Sequence, residues 1–252
     1  MIRFADDIVL LATSENDLQT ALIEMDNIFL EFKLNINTEK TKIMICSKQN
    51  ESNINISIKG KRMEQINQFK YLGSIIDNEG RSKKEIKSRI GQAKKAFLLK
   101  SKLLTSKNVD QRTRNRLTKT YVLSTALYGC ETWTLNKKEE TALEAFQMCC
   151  WRKMEKIKWT ELKTNEVLDL VKEKRTLLNN LRSRRWHMIG HTLRHNEELH
   201  SLILEGMIEG KRGRGRPRTC YISQIIKDAR VDSYKQLKDK AQDRKSWREH
   251  LL

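Results

Sequence analysis

Proline is nearly absent from this chain, with one in 252 residues alongside ten glycines, which argues against a disordered or linker-like tail. Cysteine is sparse and odd in number. Cys46, Cys130, Cys149, Cys150 and Cys220 include no C-x-x-C pair, which fits neither a disulfide framework nor a zinc ribbon and points to a reducing compartment. No apolar run approaches the roughly 20 residues of a membrane-spanning helix, so no membrane partner is expected. Met1-Ile2-Arg3-Phe4 leads into a strand pattern instead of a secretory h-region, and the expected location is intracellular, nucleus or cytoplasm. Without a secretory route, Asn50-Glu51-Ser52 and Asn55-Ile56-Ser57 are chance matches to a glycosylation acceptor. Hydrophobic residues make up only 38% of the chain and charged residues 33%, still enough at this length for one or two domains with a core.

Negative charge is what the larger part of the chain lacks. Residues 1–80 carry 9 Lys+Arg against 12 Asp+Glu, a net −3, whereas residues 81–252 carry 41 against 20, a net +21. An excess of that size over a helical region calls for a polyanionic partner, most simply nucleic acid; a solvated lysine-rich surface is the plainer alternative. Asn78-Glu79-Gly80 supplies a turn where the charge changes sign, so a domain boundary is expected near residue 80.

Periodicity separates the two parts as well. Ile2 to Ala5 and Ile8 to Ala12 read as the arms of a β-hairpin with Asp6-Asp7 at its turn. After Ser14, a good N-cap, Leu18, Leu22, Met25, Ile28, Phe29 and Phe32 recur at helical spacing and predict an amphipathic helix over 15–33 lying under a sheet. Extended segments follow at Lys42 to Ile45, at Ile54 to Ile58 before Gly60-Lys61, and at Gln68 to Ile76, completing half of an α+β layer. Beyond Arg81 helices are expected at roughly 83–104, 109–128, 137–157, 164–195 with breaks, 197–209, 219–229 and 233–250. The segment 210–218, Gly-Lys-Arg-Gly-Arg-Gly-Arg-Pro-Arg, suits no periodic helix and is expected as an exposed loop.

Two carboxylates at a hairpin turn suit a hard divalent cation, and a pair of such ions can activate a primer 3′-hydroxyl while neutralising pyrophosphate. Acidic residues are also common at tight turns for local reasons, because Asp side chains bond the nearby backbone. Six ordered blocks weigh toward the first reading. Phe4-Ala5-Asp6-Asp7-Ile8 matches the Tyr/Phe-Ala-Asp-Asp palm motif of LINE-type (non-LTR) retrotransposon reverse transcriptases, of the endonuclease–reverse transcriptase kind. Leu34-Asn35-Ile36-Asn37-Thr38-Glu39-Lys40-Thr41-Lys42 resembles the following palm motif, and Phe69-Lys70-Tyr71-Leu72-Gly73 the primer-grip hairpin. Tyr128-Gly129-Cys130-Glu131-Thr132-Trp133 is similar to an element of the post-palm helices, Gly190-His191-x-x-Arg194 to one beyond the thumb, and Gly213-Arg214-Gly215-Arg216-Pro217-Arg218 follows in family order.

The resemblance implies the C-terminal part of an RNA-directed DNA polymerase: a partial palm at 1–80, a helical thumb at 81–135 and a basic helical C-terminal region at 136–252, an α+β fold followed by helices. Asp6 would be the metal ligand for Mg²⁺ or Mn²⁺ with Asp7 its auxiliary, and Lys40 a candidate to protonate or neutralise the leaving pyrophosphate. Phe69, Lys70, Tyr71 and Gly73 would hold the primer backbone. Lys84, Lys87, Arg89, Lys94, Lys95 and Lys102 on the first thumb helix, with Arg112, Arg114, Arg116 and Lys119 on the second, would track phosphates of an RNA template, DNA primer or DNA target. Arg212, Arg214, Arg216 and Arg218 add a further contact. Arg214-Gly215-Arg216-Pro217 coincides with the core of minor-groove AT-hook peptides, the blander reading being a flexible phosphate-attracting loop or import signal.

Two-ion transfer also needs a carboxylate from an upstream palm strand. Five residues precede Asp6 and none is acidic, so the expectation is a chain inactive by itself, with an upstream palm and endonuclease segment in a longer protein. A non-catalytic nucleic-acid-binding protein using residues 81–252 is the alternative. His187, His191 and His195 recur every four residues and Cys149-Cys150 stand apart, but Gly190 weakens that helix and Arg184, Arg185 and Arg194 oppose a cation, so zinc is not favoured. Trp133, Trp151, Trp159, Trp186 and Trp247 read as packing residues rather than base-stacking platforms.

Overall fold

The computed structural model describes residues 1–47, 53–161, 163, 166–195, 198–206 and 220–249. It divides into two compact units, Met1–Gly80 and Arg81–Leu252.

In the first unit β1 (Ile2–Phe4) pairs antiparallel with β2 (Asp7–Val9), and α1 (Glu15–Glu31) follows. The Ser14 side chain accepts the Asp17 amide, while Glu15 and Asp17 face the positive end of the helix dipole. At the other end Lys33 adopts φ +58° and the Leu34 amide reaches back to the Phe29 carbonyl, a Schellman stop built without glycine. Six further short strands follow: β3 (Lys42–Ile43), β4 (Ser57–Ile58), β5 (Lys61–Arg62), β6 (Glu64–Gln65), β7 (Gln68–Tyr71) and β8 (Ser74–Asp77).

These strands form four separate pairs, β1–β2, β3–β6, β4–β5 and β7–β8, of which only β3–β6 is parallel. The single layer expected from alternation is therefore not what the described residues build. Strands of two to four residues exchange few hydrogen bonds, and none gains a third neighbour among the described residues; α1 packs against β4. The Gln19 side chain both accepts from and donates to the Ser57 backbone at 2.9 and 2.8 Å, fastening β4 to the helix. Leu22, Ile43, Ile56, Ile58 and Met63 are the buried core, with Leu18 and Met25 against it. This core spans only the first turns of α1, so Ile28 and Phe32, expected on its buried face, are 52% and 71% exposed.

Among its described residues the second unit contains helices and no strand. Its elements are α2 (Lys83–Leu99), α3 (Ser101–Leu104), α4 (Gln111–Leu117), α5 (Ser124–Ala126), α6 (Lys137–Met154), α7 (Glu166–Val171), α8 (Leu177–Arg194), α9 (Leu199–Glu205), α10 (Tyr221–Ala229), α11 (Tyr234–Gln242) and α12 (Arg244–Glu249). The segment 83–104 is interrupted at Lys100, and 109–128 passes through a π-helical stretch at Thr118–Leu123 before Gly129 leaves the helix with φ +69°. An Asn136–Glu139 capping box starts α6.

Two hydrophobic clusters share α8. Leu177 and Leu181 join the first with Phe97, Leu143 and Trp151, and Trp186, Ile189 and Leu193 join the second with Ile225, Leu237 and Trp247. Trp133, Trp151, Trp186 and Trp247 are all buried, so they pack the interior instead of offering faces to bases. Trp186 and Trp247 stack at 3.6 Å and exchange hydrogen bonds, each indole N–H donating to the other's carbonyl at 2.7 and 3.1 Å.

Gly190 makes that stack accessible. A Cβ there would stand 2.2 Å from Trp247 Nε1, so only glycine admits the indole against α8. Gly190→Ala is expected to destabilise the chain by about 1–3 kcal/mol through this overpacking, read from urea unfolding followed by tryptophan fluorescence. An unchanged midpoint would mean that Trp247 does not lie on Gly190.

Candidate functional site

The hairpin forms, but only Asp6 lies at its turn; Asp7, expected there too, opens β2. Phe4 pairs with Asp7, so Ala5-Asp6 forms a two-residue turn, with φ +51° at Ala5. Both carboxylates and Phe4 are exposed. They are oxygen donors of the kind Mg²⁺ or Mn²⁺ prefers, but an ion of this type takes about six oxygen ligands. Among the described residues no group of three or more His, Cys, Asp or Glu could hold a metal ion. The donor set present therefore fits only one edge of a catalytic cage.

Lys40 lies in the turn that precedes β3. Asn37 Oδ1 accepts the amides of Glu39 and Lys40, both at 3.1 Å, and the Asn37 carbonyl accepts from Thr41, so Asn37 to Thr41 is a side-chain-directed turn. The strand begins only at Lys42, whose ammonium pairs with Glu64 at 2.6 Å across β3–β6. Lys40 itself is exposed.

Phe69 to Gly73 is a hairpin rather than a single strand. Tyr71 pairs with Ser74, leaving Leu72-Gly73 as a two-residue turn with φ +46° and +84°, the double left-handed signature of a type I′ turn. Glycine accepts that geometry freely, whereas Leu72 is strained by about 1–3 kcal/mol. Phe69 and Lys70 are exposed, and Phe69 faces exposed Ile76 across the ladder. The Tyr71 hydroxyl is buried without a hydrogen-bond partner among the described residues.

In the second unit Lys94, Lys95, Arg112 and Arg116 are exposed. Arg89 and Arg114 are not, which corrects their expected role as phosphate contacts. Arg89 donates to Glu85 at 2.6 Å and lies over the Tyr128 ring, and Arg114 pairs with Glu155 at 3.1 Å. Their positive charge is spent inside the helical packing. Lys119 likewise pairs with Glu173 at 2.7 Å. Arg212, Arg214, Arg216 and Arg218 lie outside the described residues.

The four-residue histidine ladder divides. His187 Nδ1 turns back to the Ser183 carbonyl, while His191 and His195 meet edge to face at 4.4 Å. His200 completes a group that spacing alone misses, because α9 carries it in: Glu198 lies 3.1 Å from His195 and 3.2 Å from His200. Cys150 is elsewhere, in the first core, where burial pushes its thiol up to about 12. Sequence reasoning also missed an arginine group. Burial, with repulsion from Arg244 and Arg248, lowers the Arg194 pKa, so three guanidinium groups from distant segments share one neighbourhood. The Gly-His-x-x-Arg block flags Arg194, but nothing in it points to α12.

The reverse transcriptase (RNA-dependent DNA polymerase) family matches residues 1–76. A transposon-derived protein of Caenorhabditis elegans is 28% identical over 202 residues, covering 78% of this chain and 72% of that relative. No solved structure matches. The two matches support a reverse-transcriptase-like chain with transposon kinship, and among the described residues no helix is long and apolar enough to cross a membrane.

Because the Tyr71 hydroxyl has no partner among the described residues, Tyr71→Phe is expected to leave stability within about 0.5 kcal/mol of the parent or raise it. Urea titration checks this. A loss above about 1 kcal/mol would show that the hydroxyl is bonded after all.

Proposed function

We propose that this chain is the C-terminal portion of a non-LTR retrotransposon reverse transcriptase that binds nucleic acid through residues 81–252 and does not polymerise by itself. Residues 1–80 serve as the end of the palm, 81–135 as a thumb, and 136–252 as a basic C-terminal region. The observation that carries this reading is the pairing of exposed Asp6 and Asp7, which no third ligand joins in a metal-binding group among the described residues, with a second unit of net +21. Asp6 and Asp7 keep the place of metal ligands and Lys40 that of a pyrophosphate-facing cation. Phe69, Lys70, Tyr71 and Gly73 form the primer-facing hairpin.

Exposed Lys94, Lys95, Arg112 and Arg116 neutralise backbone phosphates of a template–primer or target duplex, joined by Arg212, Arg214, Arg216 and Arg218. Such contacts fix position without reading bases, so sequence preference is weak. The non-catalytic binding protein is the same picture without the ancestral chemistry, and the charge distribution favours it for the isolated chain. An upstream palm segment in a longer protein would supply the missing carboxylate.

Primer extension on an RNA template with Mg²⁺ or Mn²⁺ tests the reading. The 252-residue chain is expected to give no product, while anisotropy with a labelled duplex shows binding whose logarithm falls with log salt by about 0.9 per phosphate neutralised. Extension abolished by Asp6→Ala would overturn the inactive state. A flat salt response would overturn the phosphate-binding role.

A further inference from the structure

A groove of about 560 Å³ runs between α2 and α6 within the second unit. Its floor holds buried Ile86 and Phe146 with half-buried Ile90, and small residues widen it: Gly91 from α2, Ala142 and Ala145 from α6. Lys83, Lys87, Lys94 and Lys138 stand along its rim against a single carboxylate, Glu139. That carboxylate is engaged in the α6 capping box, and none of the four lysines is ion-paired among the described residues. Each wall contributes at intervals of three and four residues, so the groove follows one stripe of each helix.

Gly91 is the feature that the unit itself does not explain. It lies inside a helix, has no positive φ, and a Cβ added there would meet nothing within 4 Å. Glycine at such a position costs about 0.8–1 kcal/mol relative to alanine. Neither backbone conformation nor internal packing requires it, and its bare backbone leaves that wall of the groove open to close approach from outside.

A phosphate backbone needs no apolar floor. Bases need flat exposed rings, whereas Phe146 is 3% exposed and the other floor residues are aliphatic or small. From Lys83 to Lys94 the groove advances about 16 Å, three helical turns, enough for anchors at i, i+4 and i+7 of a docked helix. The four lysines match carboxylates flanking such anchors.

We propose that the α2–α6 groove docks an acidic amphipathic helix of a partner protein, with aliphatic anchors on the Ile86–Phe146 floor and Asp or Glu flanks against Lys83, Lys87, Lys94 and Lys138. The groove shares Lys87 and Lys94 with the phosphate contacts read on the same unit, so the two kinds of partner compete at those lysines.

The test is a titration of the 252-residue chain into a fluorescein-labelled helical peptide with leucines at i, i+4 and i+7 and glutamates beside them, at about 150 mM salt. Two control peptides replace the glutamates by lysine or the leucines by serine. The acidic leucine peptide is expected to bind with a Kd of about micromolar order and both controls at least tenfold more weakly. Gly91→Leu fills the groove while improving helix propensity, so its loss of peptide binding, expected to be at least tenfold, cannot come from a weakened fold. Ala142→Trp at an exposed position should act alike, and Lys87→Glu with Lys94→Glu should shift preference to the lysine-flanked peptide. Equal binding of the serine control would reduce the groove to a charged patch and overturn the proposal. So would a Gly91→Leu chain that keeps the peptide but loses a labelled duplex, because the groove would then belong to nucleic acid.

Discussion

One buried guanidinium joins the two cores of the helical unit. Arg185 is 3% exposed and donates to the Trp133 carbonyl, to Gln224 and to the Asp228 carboxylate. Taking such a charge out of water is tolerable because both terminal nitrogens find acceptors, one of them a carboxylate. Gln224 in turn receives the Leu135 amide and donates to the Leu135 carbonyl, while the Tyr221 hydroxyl donates to the Glu131 carbonyl at 2.7 Å. These bonds hold α10 against the turn that follows Gly129. α8 then serves as a common beam, with Leu177 and Leu181 in one cluster and Trp186, Ile189 and Leu193 in the other.

This arrangement sorts the basic residues of the second unit. Arg89, Arg114 and Arg185 are consumed in buried pairs with Glu85, Glu155 and Asp228. The carboxylates so used are unavailable to the surface, so the outward-facing residues retain a large positive excess. Breaking a buried pair from one side leaves an uncompensated charge and costs about 3–5 kcal/mol, whereas an exposed lysine contributes little to stability. Phosphate binding and partner docking can therefore occupy the surface of a scaffold that does not depend on them.

Much of the helical part is legible in sequence because long amphipathic stripes bury one face over several turns: α1 and α6 begin and end near their predicted places, whereas α2 stops at Leu99, short of the expected 104, and the expected 164–195 divides into α7 and α8. The strands are legible only as hairpins. Their pairs depend on turn chemistry, such as Leu72-Gly73, where a leucine occupies a left-handed position that propensity disfavours. Which arginine is buried cannot be read from helical spacing, since Arg89 and Arg114 differ from Arg112 and Arg116 only in what packs over them. His200, Arg244 and Arg248 reach their neighbours through contacts between helices, and Gly190 declares its role only once Trp247 lies upon it. The hairpin around Asp6 and Asp7 is the opposite case, a local structure legible from its flanking apolar arms, with the turn one residue earlier than expected. The relative's alignment, at 202 residues, runs beyond the 1–76 family match into the basic unit, so the two parts occur together outside this chain.

The central claim is that most of the affinity for nucleic acid comes from exposed cations of the helical unit, the hairpins of the first contributing little by themselves. Hydrogen–deuterium exchange of the full chain, with and without a saturating duplex, tests it directly. The account predicts added protection chiefly around Lys95, Arg112 and Arg116, with smaller changes in residues 1–80. Protection confined to the hairpins at Asp6-Asp7 and Phe69 to Gly73, with the helical unit unaffected, would contradict it.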